Sequence, residues 1–190
     1  MATLLAGGAV AGTVQPSELV LRNSDLGSSF QLVRQDTGEV TNALAAASGP
    51  SGHAAQLRAW GRVSGYQVHF VHRSTATSLS SGVVDLHDSA TLYATRAGAS
   101  GAFAYETQKE RSTVFQPATA PAALRIGDRR SFFTAVQKTQ NILVQLYVLV
   151  WQRGRTVAVL EGVGLRGPSR PAQLARIARL QDARLARLGK

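Results

Sequence analysis

The sequence predicts an α+β fold: a mainly antiparallel, curved sheet with flanking helices and a C-terminal amphipathic helix packed on it. Three observations carry this. Residues 141–152 are largely apolar at both parities, Ile142, Val144, Leu146, Val148 and Val150 on one face and Leu143, Gln145, Tyr147, Leu149 and Trp151 on the other, which marks a central strand covered on two sides. Gly154-Arg155 then supplies a type II′ hairpin turn into a further strand at 156–163. Beyond Pro168 and Pro171, Leu174, Ile177, Ala178, Gln181, Leu185 and Leu188 share one helical stripe, with Arg176, Arg179 and Arg187 opposite and Arg184 on the flank.

The remaining elements follow in chain order. Residues 1–14 are apolar and rich in Ala and Gly, with Leu4 and Leu5, but lack a positive n-region. They read either as the remnant of a secretory signal whose charged start lies upstream or as a disordered leader. Residues 1–15 are therefore set apart and 16–190 read as a single domain. Residues 16–30 give a short element and then a loop; residues 30–34 suggest a short strand ended by Asp36-Thr37-Gly38. Ala43 to Ala47 suggests a short helix, closed by Gly49-Pro50-Ser51-Gly52. In residues 59–72, Tyr66, Val68 and Phe70 alternate with Gln67, His69 and Val71, a strand with a hairpin or bulge at Gly65. A strand at 81–86 is expected to lead into a helix capped by Asp88-Ser89, fading near Gly98 to Gly101. Residues 103–115 are open between helix and polar strand. Pro117 to Pro121 reads as a linker, Ile126-Gly127-Asp128 as a turn, and residues 131–136 as another strand.

Composition excludes several function classes. A chain of 190 residues can bury about 70% of its unfolded surface in one core. The absence of cysteine excludes disulfides, thiolate catalysis, and zinc or iron–sulfur sites built on thiolates. The longest apolar run, residues 142–151, is about half the length of a membrane-spanning helix. Charge is concentrated at one end: residues 153–190 hold nine of the 21 basic residues and only two acids, Glu161 and Asp182. Such a tail suggests an anionic partner, whether nucleic acid, an acidic lipid surface or an acidic protein patch. The basic residues are 18 Arg and three Lys, a bias that a GC-rich genome would also produce.

Candidate chemistry is sparse. Gly162-Val163-Gly164-Leu165-Arg166-Gly167 matches GxGxxG, but too little chain follows for the second parallel strand and acid of a dinucleotide site. Glycines that flatten a strand end are the more economical account. His69 and His72, three apart in a strand, point to opposite faces and cannot chelate one metal together; His87 is placed at the strand-to-helix junction beside the capping Asp88. No cofactor, metal ligand or catalytic group is therefore assigned. The pairs Asp85/Asp88 and Glu106/Glu110 lack the apolar frame that splits carboxylate pKa values, and Glu106 to Arg111 reads as a solvated face. On the last helix, Arg170, Arg176, Arg179, Arg184 and Arg187 are the candidate contacts for a polyanion or partner, gripping phosphate backbone without reading sequence.

The motifs Gly61-Arg62-Val63-Ser64-Gly65-Tyr66, Ser81-Gly82-Val83-Val84, Ile126-Gly127-Asp128 and Trp151-Gln152-Arg153-Gly154 resemble bacterial cell-envelope, lipoprotein-like domains of unknown function, relatives of Mog/PsbP-like folds. The resemblance spans residues 19–188 and implies a curved antiparallel sheet with flanking helices, an extracytoplasmic location and no defined active site. The chain lacks the lipobox cysteine of an anchored member. The expected function is a non-enzymatic extracytoplasmic domain that binds a protein or ligand partner. Its alternative is a cytoplasmic polyanion- or nucleic-acid-binding protein using the basic helix. An enzyme would have its site near His69, His72, Asp85 and His87.

Overall fold

Apolar residues at both parities place β7 (Ile142–Arg153) inside an antiparallel sheet, between β6 (Arg129–Thr139) and β8 (Thr156–Leu165). The fold comes from a computed structural model that describes residues 14–73, 82–113, 115–121, 124–139, 141–167 and 169–188. The apolar leader, apart from its last residues, therefore lies outside the described residues. The sheet has eight strands in the order β1-β3-β4-β8-β7-β6-β5, with β2 also pairing β3. Here β1 is Phe30–Leu32, β2 Gly38–Glu39, β3 Arg62–His72, β4 Val83–Tyr93 and β5 Gln116–Pro117. Among the described residues five α-helices accompany it: α1 (Asn23–Leu26), α2 (Asn42–Ala47), α3 (His53–Ala59), α4 (Arg96–Arg111) and α5 (Pro171–Leu188).

The two long helices cover opposite faces. Leu149, Trp151, Ala158 and Leu160 pack with Leu174, Ile177, Ala178 and Leu185 of α5. Val148, Val150 and Val157 pack with Tyr93 and with Ala99, Ala102 and Phe103 of α4. Both parities of β7 are thus used from Tyr147 onward, whereas Ile142 and Leu143 at its start are exposed, and the leucine stripe of α5 is an internal surface, as its spacing requires. Gly154 turns the β7–β8 hairpin with φ +57°, the left-handed value that a type II′ turn asks of its first central residue.

Three expectations are overturned. The chain does not turn helical at Asp88: β4 continues to Tyr93, and the helix starts at Arg96, capped by Thr95, whose Oγ1 accepts from the Gly98 N–H at 3.0 Å. It then runs through Gly98 to Gly101 instead of fading, because packing against Trp60 and the sheet outweighs weak local propensity. The bulge in β3 is at Val63 rather than Gly65, between the pairs Arg62↔Tyr93 and Ser64↔Leu92. Helix α3, invisible to apolar periodicity, buries only His53 and Leu57.

Residues 19–21 form a buried strap between the sheet and α5. Leu19, Val20 and Leu21 are among the most deeply buried residues of the larger core. Their backbone groups are met by side chains: Gln181 Nε2 donates to Leu19 O at 3.0 Å, Arg184 Nη1 donates to Val20 O, and Leu21 N–H donates to Asp88 Oδ2 at 2.7 Å. A buried backbone without ladder partners needs such substitutes. At the other side of α5, Asp182 receives a two-point ion pair from Arg153 and the N–H of Gly127 at 3.1 Å.

Candidate functional site

Alternation along β4 sends Leu86, Asp88 and Ala90 into the core beneath α5 and leaves Asp85, His87, Ser89 and Thr91 on the α4 side. A register shift between Val83 and Asp85 relative to β8 lets Val83 join the core while Asp85 keeps the other face. Helix α4 covers only part of this face, over Val150, Val157 and Tyr93. The rest is an open trough.

Three adjoining hollows, all lined by Ser89, make up the trough. The largest, about 370 Å³, is walled by Asp36, Gln67, His87, Val159 and Glu161. The next extends toward α2 and α3, past Thr91, Arg62, Glu106 and Lys109 to His53, Trp60 and Tyr105. There His53 stacks on Tyr105 with ring centroids 5.1 Å apart, and Trp60 leans on the same ring at 5.4 Å. Arg62 is not free for a ligand: it donates to Asn42 Oδ1 and to Val40 O, each at 2.7 Å.

The trough is acidic although the chain carries a net charge of +10. Asp36, Glu106 and Glu161 line it, and Asp85 lies beside His87 at its end. Lys109 bonds Glu106 at 3.2 Å and approaches Glu110 at 3.8 Å. Desolvation works to lower the Lys109 pKa, but Glu106, Glu110 and Glu161 together outweigh it and raise it. Burial raises Glu110, partly offset by Lys109. Residues 106–111 are only in part the solvated face their sequence suggests: Gln108, Lys109 and Arg111 are exposed, but Glu110 is buried, and Glu106 and Lys109 form part of the trough wall.

At the β1 end, His69 and His87 face each other directly across β3 and β4, with stacked rings 3.8 Å apart and 15° from parallel. Asp85 Oδ1 lies 3.1 Å from His69 Nε2 and 3.4 Å from His87 Nε2, and Asp36 Oδ2 lies 2.9 Å from His69 Nδ1. Glu161 sits opposite His87 on β8. Sequence reasoning named His69, Asp85 and His87, together with His72, as the place of an enzyme's site but assigned no metal ligand, because it ended β4 before Asp88 and so removed the partner strand from His87. The cross-strand pairing was the signal, and an alternating reading of residues 83–93 would have found it. His72 stands apart as expected, edge-on to Phe30 at 5.3 Å.

Asp88 is no helix cap. Burial pushes its carboxyl up to about 7, against the Leu21 hydrogen bond and the neighbouring Gln181 and Arg184, which favour the charged form. Its Oδ1 and Gln181 Oε1 are both buried without a partner among the described residues. Burial likewise raises Tyr93.

Of the five arginines predicted as partner contacts, Arg170, Arg176, Arg179 and Arg187 are solvent-exposed. Arg184 is committed to the fold: its side chain is 14% exposed and its Nη2 lies 2.6 Å from Asp25 Oδ2. The GxGxxG segment belongs to β8 and the following turn, with antiparallel neighbours on both sides. A Cβ at Gly162 would meet Leu174 Cδ1 at 2.8 Å, so this glycine serves close helix–sheet packing rather than phosphate binding. Among the described residues no helix is long and apolar enough to cross a membrane.

No family model matches the chain, and no curated protein matches it. Among solved structures, the extracellular domain of PknH from Mycobacterium tuberculosis aligns over 90% of this chain and 92% of its own, with 10% identity and a TM-score of 0.42. The likeness to Mog/PsbP-like folds rests on the short sequence motifs alone.

Proposed function

We propose that this chain is a non-enzymatic extracytoplasmic binding domain whose ligand seat is the acidic trough beside α4. One observation carries the reading: carboxylates of Asp36, Glu106 and Glu161, with Asp85 at the margin, are spread along one open trough of a strongly basic chain, Asp36 meeting His69 and Glu106 meeting Lys109. Such a hollow concentrates cations against the field of the remaining surface. Short polar side chains, Gln67, Ser89 and Thr91, form its floor and can hydrogen-bond a ligand without filling the space. The apolar segment 1–14 and the envelope-type motifs support export.

The test uses a small cation as probe. Spermidine, titrated into isotopically labelled protein at low ionic strength, is expected to shift the amide resonances of Ser89, Thr91 and Glu161, and citrate to leave them unmoved. Glu161→Gln is expected to weaken the spermidine response. Shifts confined to α5, or none, reject the trough as the seat. Fractionation of the native host, with the protein recovered only from cytoplasm, rejects the extracytoplasmic part separately.

The exposed row Arg170, Arg176, Arg179 and Arg187 supports a second reading, non-specific polyanion binding on the outer face of α5.

A further inference from the structure

The geometry points to a divalent transition-metal site formed by His69, Asp85 and His87. It stands on these three side chains and does not depend on what fills the rest of the trough. Their ligand atoms all lie within 4.8 Å of one another. All three project from paired strands of the sheet interior, where backbone hydrogen bonding fixes their spacing.

Hydrogen-bond bookkeeping leaves a place for a cation here. A neutral imidazole has one N–H, and in His69 the Nδ1 position faces Asp36 Oδ2 at 2.9 Å. Donation there leaves the Nε2 lone pair aimed at Asp85 Oδ1, an acceptor facing an acceptor at 3.1 Å. His87 Nε2 approaches that same oxygen at 3.4 Å. A single divalent ion can engage Asp85 and the His69 imidazole, and takes His87 as well once that half-exposed ring rotates out of the stack. An imidazolium at His69 would meet the same two carboxylates, so metal titration decides between the two. An ion about 2.1 Å from each ligand atom subtends the two nitrogen–oxygen separations at about 95 to 110°, within the range of octahedral and tetrahedral coordination.

The outer partners agree. A metal-binding histidine usually donates its second ring N–H to a carboxylate, the position Asp36 holds toward His69. Two imidazoles and one carboxylate select zinc or another first-row ion over calcium or magnesium. His87 is 51% exposed and Asp85 33%, so solvent reaches the cluster from the trough and coordination positions remain for water or a ligand.

The experiment takes untagged, chelator-treated protein and titrates it with zinc by calorimetry and with cobalt by visible absorption. One ion per chain is expected, with cobalt d–d bands characteristic of nitrogen and oxygen ligands. His87→Ala, an exposed position whose loss leaves the fold intact by circular dichroism, is expected to weaken zinc binding by at least about 100-fold, and Asp36→Asn by about 10- to 100-fold. His72→Ala, outside the cluster, is expected to leave it unchanged. Zinc binding that survives His87→Ala and Asp85→Asn, or no binding at millimolar zinc, overturns the site. Neither outcome bears on spermidine binding at Ser89 and Thr91, so the two readings fail separately.

Discussion

The N–H of Leu21 donates a 2.7 Å hydrogen bond to Asp88 Oδ2, joining the buried strap to the middle of β4 across 67 residues of sequence. The opposite oxygen of that carboxylate and Gln181 Oε1 are both buried and unpartnered. A proton on Asp88 Oδ1 can bridge them, and burial favours that proton.

This makes Asp88 a source of pH-dependent stability. Its carboxyl titrates near 3.8 when unfolded and at about 7 when folded, so the protonated form favours the native state. The contribution is complete below the unfolded value and is lost as pH rises toward the folded one, about 4 kcal/mol in all. Asp88→Asn supplies a permanent N–H toward Gln181 while keeping an acceptor for Leu21. Urea denaturation at several pH values is expected to show the variant gaining on the natural chain between pH 4 and 8. Parallel profiles for the two proteins would refute the assignment.

Gly98 separates helix propensity from packing. Alanine is the better helix former by about 1 kcal/mol. A Cβ at Gly98, however, would collide with the carbonyl of Trp60, which is backbone and cannot swing aside. Gly98→Ala is expected to destabilise the protein by about 1–3 kcal/mol in denaturant titration. At Gly101 the obstacle is the Trp60 indole edge, 2.6 Å from the added Cβ. Gly101→Ala is expected to cost less, and the reverse ranking would contradict this account of the helix start.

Arg184 and Arg176 should behave differently despite sharing a helix. Arg184→Ala removes the bonds to Asp25 and Val20 O and is expected to lower stability by about 1.5–3 kcal/mol. Arg176→Ala is expected to stay within about 0.5 kcal/mol, since the residue is exposed. Thermal melts of the two variants compare them directly.

Polyanion affinity, if measured, should reside in the exposed arginines. Binding of a labelled duplex at about 50 mM salt is expected to weaken in the Arg176→Gln, Arg179→Gln double variant, with the log–log salt slope flatter by about two. No affinity in the natural chain at that salt ends the polyanion reading.

What could be read from sequence followed the strength of local periodicity. Strand β7 and helix α5 carry long patterns, and their burial in the structure matches those patterns residue for residue at Leu149, Trp151, Leu174 and Leu185. Strand β4 was misread because Asp88-Ser89 is a good cap in isolation; only the distant Leu21 N–H explains why a carboxylate is buried in that strand. The residues of the candidate site were named, but their pairing was lost with it. His69 and His87 are 18 positions apart in sequence and meet only through antiparallel pairing, which no short window contains. Exposure of the tail arginines was legible for four of five; Arg184 depends on Asp25, which local spacing does not reveal.

The alternation of β4 has one more consequence. Since successive side chains point to opposite faces, a slip of one position against β3 would swing Asp88 into the trough and drive His87 and Ser89 beneath α5. The strap would lose its acceptor at the same moment as the imidazole pair came apart. Folding and site assembly therefore share a single checkpoint in this strand, and a misregistered chain retains neither.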